Sequence, residues 1–98
     1  MEGQKQIRFK TKEDDLKGVY SNLTQILHTK EEFILDFFLA APPEGILISR
    51  VIMSPGHIKR LIKALQENIS KYETKFGKIE EAKTLEIPEG GMGFKVEK

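Results

Sequence analysis

The most regular hydrophobic pattern lies in the second half of the chain. Apolar residues recur there at spacings of four, three, four, three and four, in the order Ile58, Ile62, Leu65, Ile69, Tyr72 and Phe76. This spacing places them on one stripe of an α-helix. Ser54-Pro55 before the stripe is typical of a helix N-terminus, and Gly77 stands where a left-handed C-terminal cap is expected. The pattern predicts one long amphipathic helix ending near Gly77.

Three segments ahead of this helix have the composition of β-strands. They cover residues 19–27, 33–40 and 46–53, and the last is rich in β-branched residues. Ala41-Pro42-Pro43-Glu44-Gly45 is a turn signal, because proline cannot continue a strand ladder. We therefore expect an α+β fold, in which an antiparallel sheet of three to four strands forms a β-meander and the long helix packs on one face.

The two ends of the chain are less regular. Ile7-Arg8-Phe9 predicts a short edge strand, and residues 11–18 read as a solvated loop. The tail, residues 80–98, is expected to be flexible or to add a last edge strand around Phe94 and Val96. A chain of 98 residues fits one domain, here residues 1–98 with a core at about 19–79.

Strand pairing predicts which side chains share a face of the sheet. If the turn pairs Ala41 with Gly45, Asp36 lies opposite Arg50, and the opposite charges favour this register. One face is then almost wholly apolar and is the natural floor for the helix. It carries Phe33, Leu35, Phe37 and Leu39 opposite Met53, Val51, Ser49 and Leu47.

The second face of the sheet is also apolar. A turn near Lys30 places Ile26 beside Ile34, Thr24 beside Asp36 and Asn22 beside Phe38. One helix cannot cover both faces, and large exposed apolar patches mark contact sites. We interpret this face as a homo-oligomer interface, and the alternative is that the N-terminal segment or the tail folds over it. The predicted interface residues are Ile26, Ile34, Asp36, Phe38, Ile46, Ile48, Arg50 and Ile52.

The helix permits two further interpretations. Its 4-3-4-3 stripe is also the spacing of a coiled-coil seam, although with a sheet in the same domain a core-facing stripe is favoured. His57, Lys59, Arg60 and Lys63 cluster near the N-terminal half and form a candidate anion contact. The alternative, which we favour, is an ordinary solvated helix face with pairs such as Lys63–Glu67.

Composition narrows the chemistry. Sixteen basic and fifteen acidic residues give a net charge of +1, so no global field attracts nucleic acid or an anionic membrane. Without cysteine there is no disulfide, thiolate nucleophile or cysteine-ligated metal. His28 and His57 lie outside any metal-binding motif, and no catalytic constellation is present. We therefore expect no catalytic residue, no metal and no cofactor, and a cytoplasmic location, since no signal or membrane segment is apparent.

The junction between the last strand and the helix resembles a known family. Residues 49–61 read SRVIMSPGHIKRL and residues 72–77 read YETKFG, and segments around Tyr20, Glu31 and Asp36 fit the same pattern. The chain resembles, over about residues 20–79, the small prokaryotic family called domain of unknown function 3467. The resemblance implies a shared fold and assigns no activity. The order of elements is also similar to that of the export chaperone SecB, which is an analogy of architecture alone.

These observations lead to one favoured function and two alternatives. We expect a non-enzymatic homo-oligomer, a dimer or a tetramer, that serves as a binding or scaffold module for a protein or peptide partner. The first alternative is a SecB-like peptide-binding chaperone or adaptor. The second is a weak, sequence-independent nucleic-acid binder that uses the basic helix face; nucleic acid is the less favoured partner, and no membrane is expected.

Overall fold

The computed structural model describes residues 6–82 and confirms the α+β class. Its elements are α1 (Glu13–Leu16), β1 (Leu23–His28), β2 (Phe33–Ala41), β3 (Glu44–Met53) and α2 (Pro55–Phe76). The three strands form one antiparallel sheet in the order β1-β2-β3, which is the predicted β-meander. The chain divides into two compact units, and the boundary lies within α2, after Ile62.

The N-terminal segment differs from the prediction. No strand forms at Ile7-Arg8-Phe9, so the expected edge strand is wrong, and Ile7 and Phe9 are exposed. The predicted loop contains the short helix α1, and the ammonium of Lys17, the residue after it, lies 3.5 Å from the Asp14 carboxylate. Charged residues occupy most of this segment, which leaves too few apolar side chains to hold a strand against the sheet. The predicted tail strand at Phe94 and Val96 lies outside the described residues.

The turn between β1 and β2 shifts the predicted register by one residue. The Thr29 hydroxyl accepts the backbone N–H groups of Glu31 and Glu32, and the Thr29 N–H donates to the Glu32 carbonyl. These bonds hold a four-residue turn, so His28 pairs with Phe33 and their rings stack at 5.5 Å.

The shift changes which residues of β1 and β2 are neighbours. Ile26 therefore pairs with Leu35 and not with Ile34, which corrects the predicted pairing. A one-residue slip turns every side chain of a strand to the other face, so Leu27 takes the expected place of Ile26 beside Ile34.

The pairing of β2 with β3 is as predicted at one end and shifted at the other. Asp36 pairs with Arg50, as the opposite charges indicated. At the hairpin, however, Ala41 pairs with Glu44, so the loop is only Pro42-Pro43. A β-bulge between these ends leaves Ile48 as the extra residue of β3. Beyond the bulge Phe38 pairs with Leu47 and not with Ile48.

Both predicted ends of α2 are confirmed. The Ser54 hydroxyl accepts the His57 backbone N–H at 3.2 Å, which satisfies one of the unpaired donors of the first turn. Gly77 has φ +99°, a left-handed conformation that favours glycine. Just beyond this point, the Glu73 carboxylate accepts the Ile79 N–H at 2.9 Å. The helix therefore ends at Phe76, directly before the predicted cap at Gly77.

Little of the described chain is buried. Only Leu35, Phe38 and Ile58 form a buried apolar core among residues 6–82, whereas eighteen large apolar side chains are more than a third exposed. A small domain depends on apolar burial for most of its stability. Most of the large apolar side chains of the described chain are therefore accessible to solvent.

Candidate functional site

An ion pair lies at the centre of one face of the sheet. Asp36 is the only buried charged residue of the described chain, with 3% of its surface exposed. The Arg50 guanidinium donates two hydrogen bonds to the Asp36 carboxylate, from Nε to Oδ1 at 2.6 Å and from Nη2 to Oδ2 at 2.8 Å. Arg50 itself is half exposed, so the positive partner forms the solvent side of the pair.

This geometry fixes the charge of both groups. The hydrogen bonds from Arg50 hold the pKa of the Asp36 carboxyl below its usual value, with burial opposing and the positive charge of Arg50 reinforcing the shift. The same hydrogen bonds raise the pKa of Arg50. A carboxylate held in this way is a weak base, so the pair is suited to structure and recognition and poorly suited to proton transfer.

The strand register divides the predicted interface residues between the two faces. Five of them share the face that carries the ion pair, which we call the Asp36 face: Ile34, Asp36, Phe38, Arg50 and Ile52. Ile26 and Ile46 pair with Leu35 and Leu39 and so lie on the opposite face, which we call the Leu35 face. Ile48 lies at the bulge and is half-buried.

Burial further separates the residues of the Asp36 face. Phe38 is buried within the chain, so it belongs to the small core, whereas Ile52 is half exposed. The register brings Leu27 and Leu47 to this face as well, and both are nearly half exposed. Pattern reasoning missed these two leucines. The Thr29 turn and the two-proline hairpin were the signals that could have found them.

The Leu35 face also carries accessible apolar side chains. Leu35 is buried at its centre, while Ile26, Leu39, Ile46 and Val51 are more than a third exposed around it. The prediction that the sheet is apolar on both faces is therefore confirmed. The exposed residues lie mostly on β1 and β3, which have no further strand beside them in the described chain.

Helix α2 presents a third accessible apolar surface. Ile58 is buried, but every later member of the stripe is between 45% and 66% exposed. We call these later members the α2 stripe: Ile62, Leu65, Ile69, Tyr72 and Phe76. These residues were expected to face the core, and within the described chain Ile58 is the buried member of the stripe. Tyr72 and Phe76 pack on each other with ring centres 5.0 Å apart.

The basic cluster of α2 lies in solvent. His57, Lys59, Arg60 and Lys63 are all exposed, and Arg60 Nη2 lies 3.3 Å from His57 Nδ1. Within residues 6–82 no group of acidic, histidine or cysteine side chains is arranged to hold a metal ion. Over the same range, no helix has the length and apolarity needed to cross a membrane.

Together these features define an α+β domain with a three-stranded meander, a long helix and accessible apolar surface on both. The chain belongs to the family described as "Protein of unknown function (DUF3467)", whose profile matches residues 1–81. The match includes the first eighteen residues, which the resemblance alone had left outside the family. Among curated proteins and among solved structures, no match was found.

Proposed function

We propose that this protein is a non-enzymatic homo-oligomeric module that binds or scaffolds other proteins. One observation carries the proposal: the described chain buries three large apolar side chains and exposes eighteen. Monomeric proteins rarely expose large contiguous apolar patches, and such patches usually mark contact sites. Association is the direct way to remove this surface from water.

The distribution of the exposed side chains supports an interface on the Asp36 face. Leu27, Leu47 and Ile52 share this face with an ion pair in which both carboxylate oxygens of Asp36 accept hydrogen bonds from Arg50. A paired charge can enter an interface at lower cost than an unpaired one, because its partner travels with it. Burying the exposed part of one such leucine or isoleucine contributes on the order of 1 kcal/mol.

The chemistry of the pair supports a role in binding over one in catalysis. Asp36 is the buried acidic group of this face, and its hydrogen bonds from Arg50 lower its pKa. General acid–base catalysis at neutral pH requires a pKa near the operating pH. Arg50, with its raised pKa, offers a permanent positive charge on an apolar surface, which suits recognition of a polar group on a partner.

A single substitution tests the sheet interface. Ile52→Asp changes a half-exposed side chain of the Asp36 face, so the subunit should still fold while a charge is forced into the interface. Size-exclusion chromatography with light scattering should show the wild-type oligomer and, for Ile52→Asp, a shift towards the 11.2-kDa monomer.

Two further variants serve as controls. Thr24→Asp places the same charge on an exposed polar position of β1 and should leave the mass unchanged. Leu35→Asp changes a buried residue and should unfold the subunit, which marks the signature of simple misfolding. An oligomer that tolerates Ile52→Asp as well as Thr24→Asp would remove the Asp36 face from the interface.

A further inference from the structure

The α2 stripe has the features of a helix-pairing surface. It runs along most of a 22-residue helix, which is about 33 Å long. Its members are accessible, although a stripe of this spacing is normally covered by a sheet or another helix. It is costly to leave isoleucine, leucine and two aromatic side chains exposed to water along one line, so contact with another apolar surface is favoured.

The spacing of the stripe matches a coiled coil. Alternate steps of three and four average 3.5 residues, the heptad period in which two helices keep one seam in contact. Ile62, Ile69 and Phe76 then occupy the a positions, and Leu65 and Tyr72 the d positions. β-branched residues at a with leucine at d are the combination that favours two-stranded coils, although this preference is best established for parallel pairs.

The charges beside the seam indicate how two copies would align. Lys59 and Glu73 both occupy e positions, at opposite ends of the helix. In an antiparallel pair the e positions of the two helices face each other, so Lys59 meets Glu73 of the second copy twice. A parallel pair forms neither of these contacts. Antiparallel alignment also sets the opposite ends of the two helix dipoles side by side.

We propose that α2 pairs with α2 of a second copy of this chain as an antiparallel two-helix coiled coil through the α2 stripe. Leu65 packs against Ile69 of the second copy, and Ile62 against Tyr72. This deepens the homo-oligomer proposed above, on which it rests, by naming the surface that holds two copies together. Two heptads bury less than the roughly 1,600 Å² of a standard interface. Interfaces of this size are typical of weak or transient contacts.

Distances between spin labels test the alignment directly. Arg60, Glu67 and Thr74 all occupy f positions on the outside of the proposed coil, and the chain has no native cysteine to interfere with labelling. Three single variants, Arg60→Cys, Glu67→Cys and Thr74→Cys, are labelled in the full chain and measured by double electron–electron resonance. The antiparallel pair is centred at residue 67. The 67–67 distance is therefore the shortest, and the other two pairs are offset by about 21 Å along the axis.

Each other outcome overturns the proposal. Three equal distances would show a parallel pair. No distance between copies would show that α2 is not the pairing surface. If the side chains of the α2 stripe were shielded from solvent only when residues 83–98 are present, the stripe would bind this chain's own C-terminal segment instead of a second copy.

A charged seam variant separates this inference from the broader proposal. Leu65→Asp combined with Ile69→Asp should raise the Kd of the helix pair by about 100-fold or more, because the charges meet across the seam. Ser70→Asp adds a charge on the outer side of the same helix and should change the Kd by less than about threefold. Circular dichroism checks that the strands and α2 persist in each variant.

The pattern of failures is informative. If the double variant remains oligomeric while Ile52→Asp dissociates, the helix pair is wrong and the sheet-based oligomer stands. If the wild-type chain is a monomer throughout, both proposals fail together.

Discussion

Asp36 and Arg50 show how a single pair of residues can organise a sheet. Asp36 is buried, where an unpaired carboxylate would be costly, and Arg50 donates two short hydrogen bonds to it. The pair thereby selects one alignment of β2 against β3. Sequence reasoning found this pair because opposite charges facing each other across a hairpin are visible in the pattern.

The pair also predicts how stability depends on acid. The folded-state pKa of Asp36 lies below its unfolded value of about 3.9, so its contribution is complete above that value and is lost as pH falls through the folded-state pKa. The free energy of unfolding, measured with urea, should therefore fall more steeply for the wild type than for a variant carrying Asp36→Asn with Arg50→Gln as the pH drops below about 4. If the free energy of unfolding depended on pH equally in the two proteins over this range, the pair would not stabilise the fold.

At the scale of elements, the ends of β1 decide which side chains meet. The Asn22 side chain acts as an extra ladder residue: its amide donates to the Ala40 carbonyl at 2.9 Å, and its Oδ1 accepts the Ala40 N–H at 2.8 Å. Together with the Thr29 turn, this locks β1 at both ends. Hydrophobic spacing contains no record of either contact, which is why the predicted register was wrong by one residue.

Substitution of Asn22 tests this lock. Asn22→Ala removes both hydrogen bonds and should lower the free energy of unfolding by about 1 kcal/mol. Amide hydrogen exchange should become faster at Ala40. Asn22→Asp keeps the acceptor for the Ala40 N–H and should slow exchange at that amide relative to Asn22→Ala. Unchanged exchange at Ala40 in the alanine variant would mean that the turns alone set the register.

The hairpin between β2 and β3 carries a related lesson. The pairing of Asp36 with Arg50 was predicted correctly, whereas the pairing at the turn was predicted one residue away from its true position. The two pairings occur in the same hairpin because Ile48 is an extra, bulged residue between them. Bulges reconcile two constraints that each fix a register, and they leave no signal in hydrophobic alternation. The ends of α2, in contrast, were predictable because Ser54 and Gly77 act through local backbone chemistry.

At the scale of the whole molecule, the hydrophobic pattern predicted more surface than one chain covers. The class of fold, the order of strands and the two-sided apolar sheet all followed from periodicity. The fate of the α2 stripe did not, because a core-facing helix and a coiled-coil seam have the same spacing. The exposure of Leu65 and its neighbours in the described chain is the observation from which we propose the coiled coil.

Family membership adds no activity to this picture. The argument for function therefore rests on apolar side chains that the single chain leaves in water, on both faces of the sheet and along α2. Each of these surfaces becomes intelligible if the working form contains more than one copy. Association is thus the central claim of this account.

Sedimentation velocity of the unsubstituted 98-residue chain tests that claim most directly. From about 1 to 300 μM, a range that brackets the affinity of a modest interface, the weight-average sedimentation coefficient should rise from that of a small particle to that of a dimer or tetramer. The buffer should contain about 150 mM salt, which screens weak charge contacts and leaves apolar association in place. A constant coefficient matching the 11.2-kDa monomer at every concentration would contradict the account.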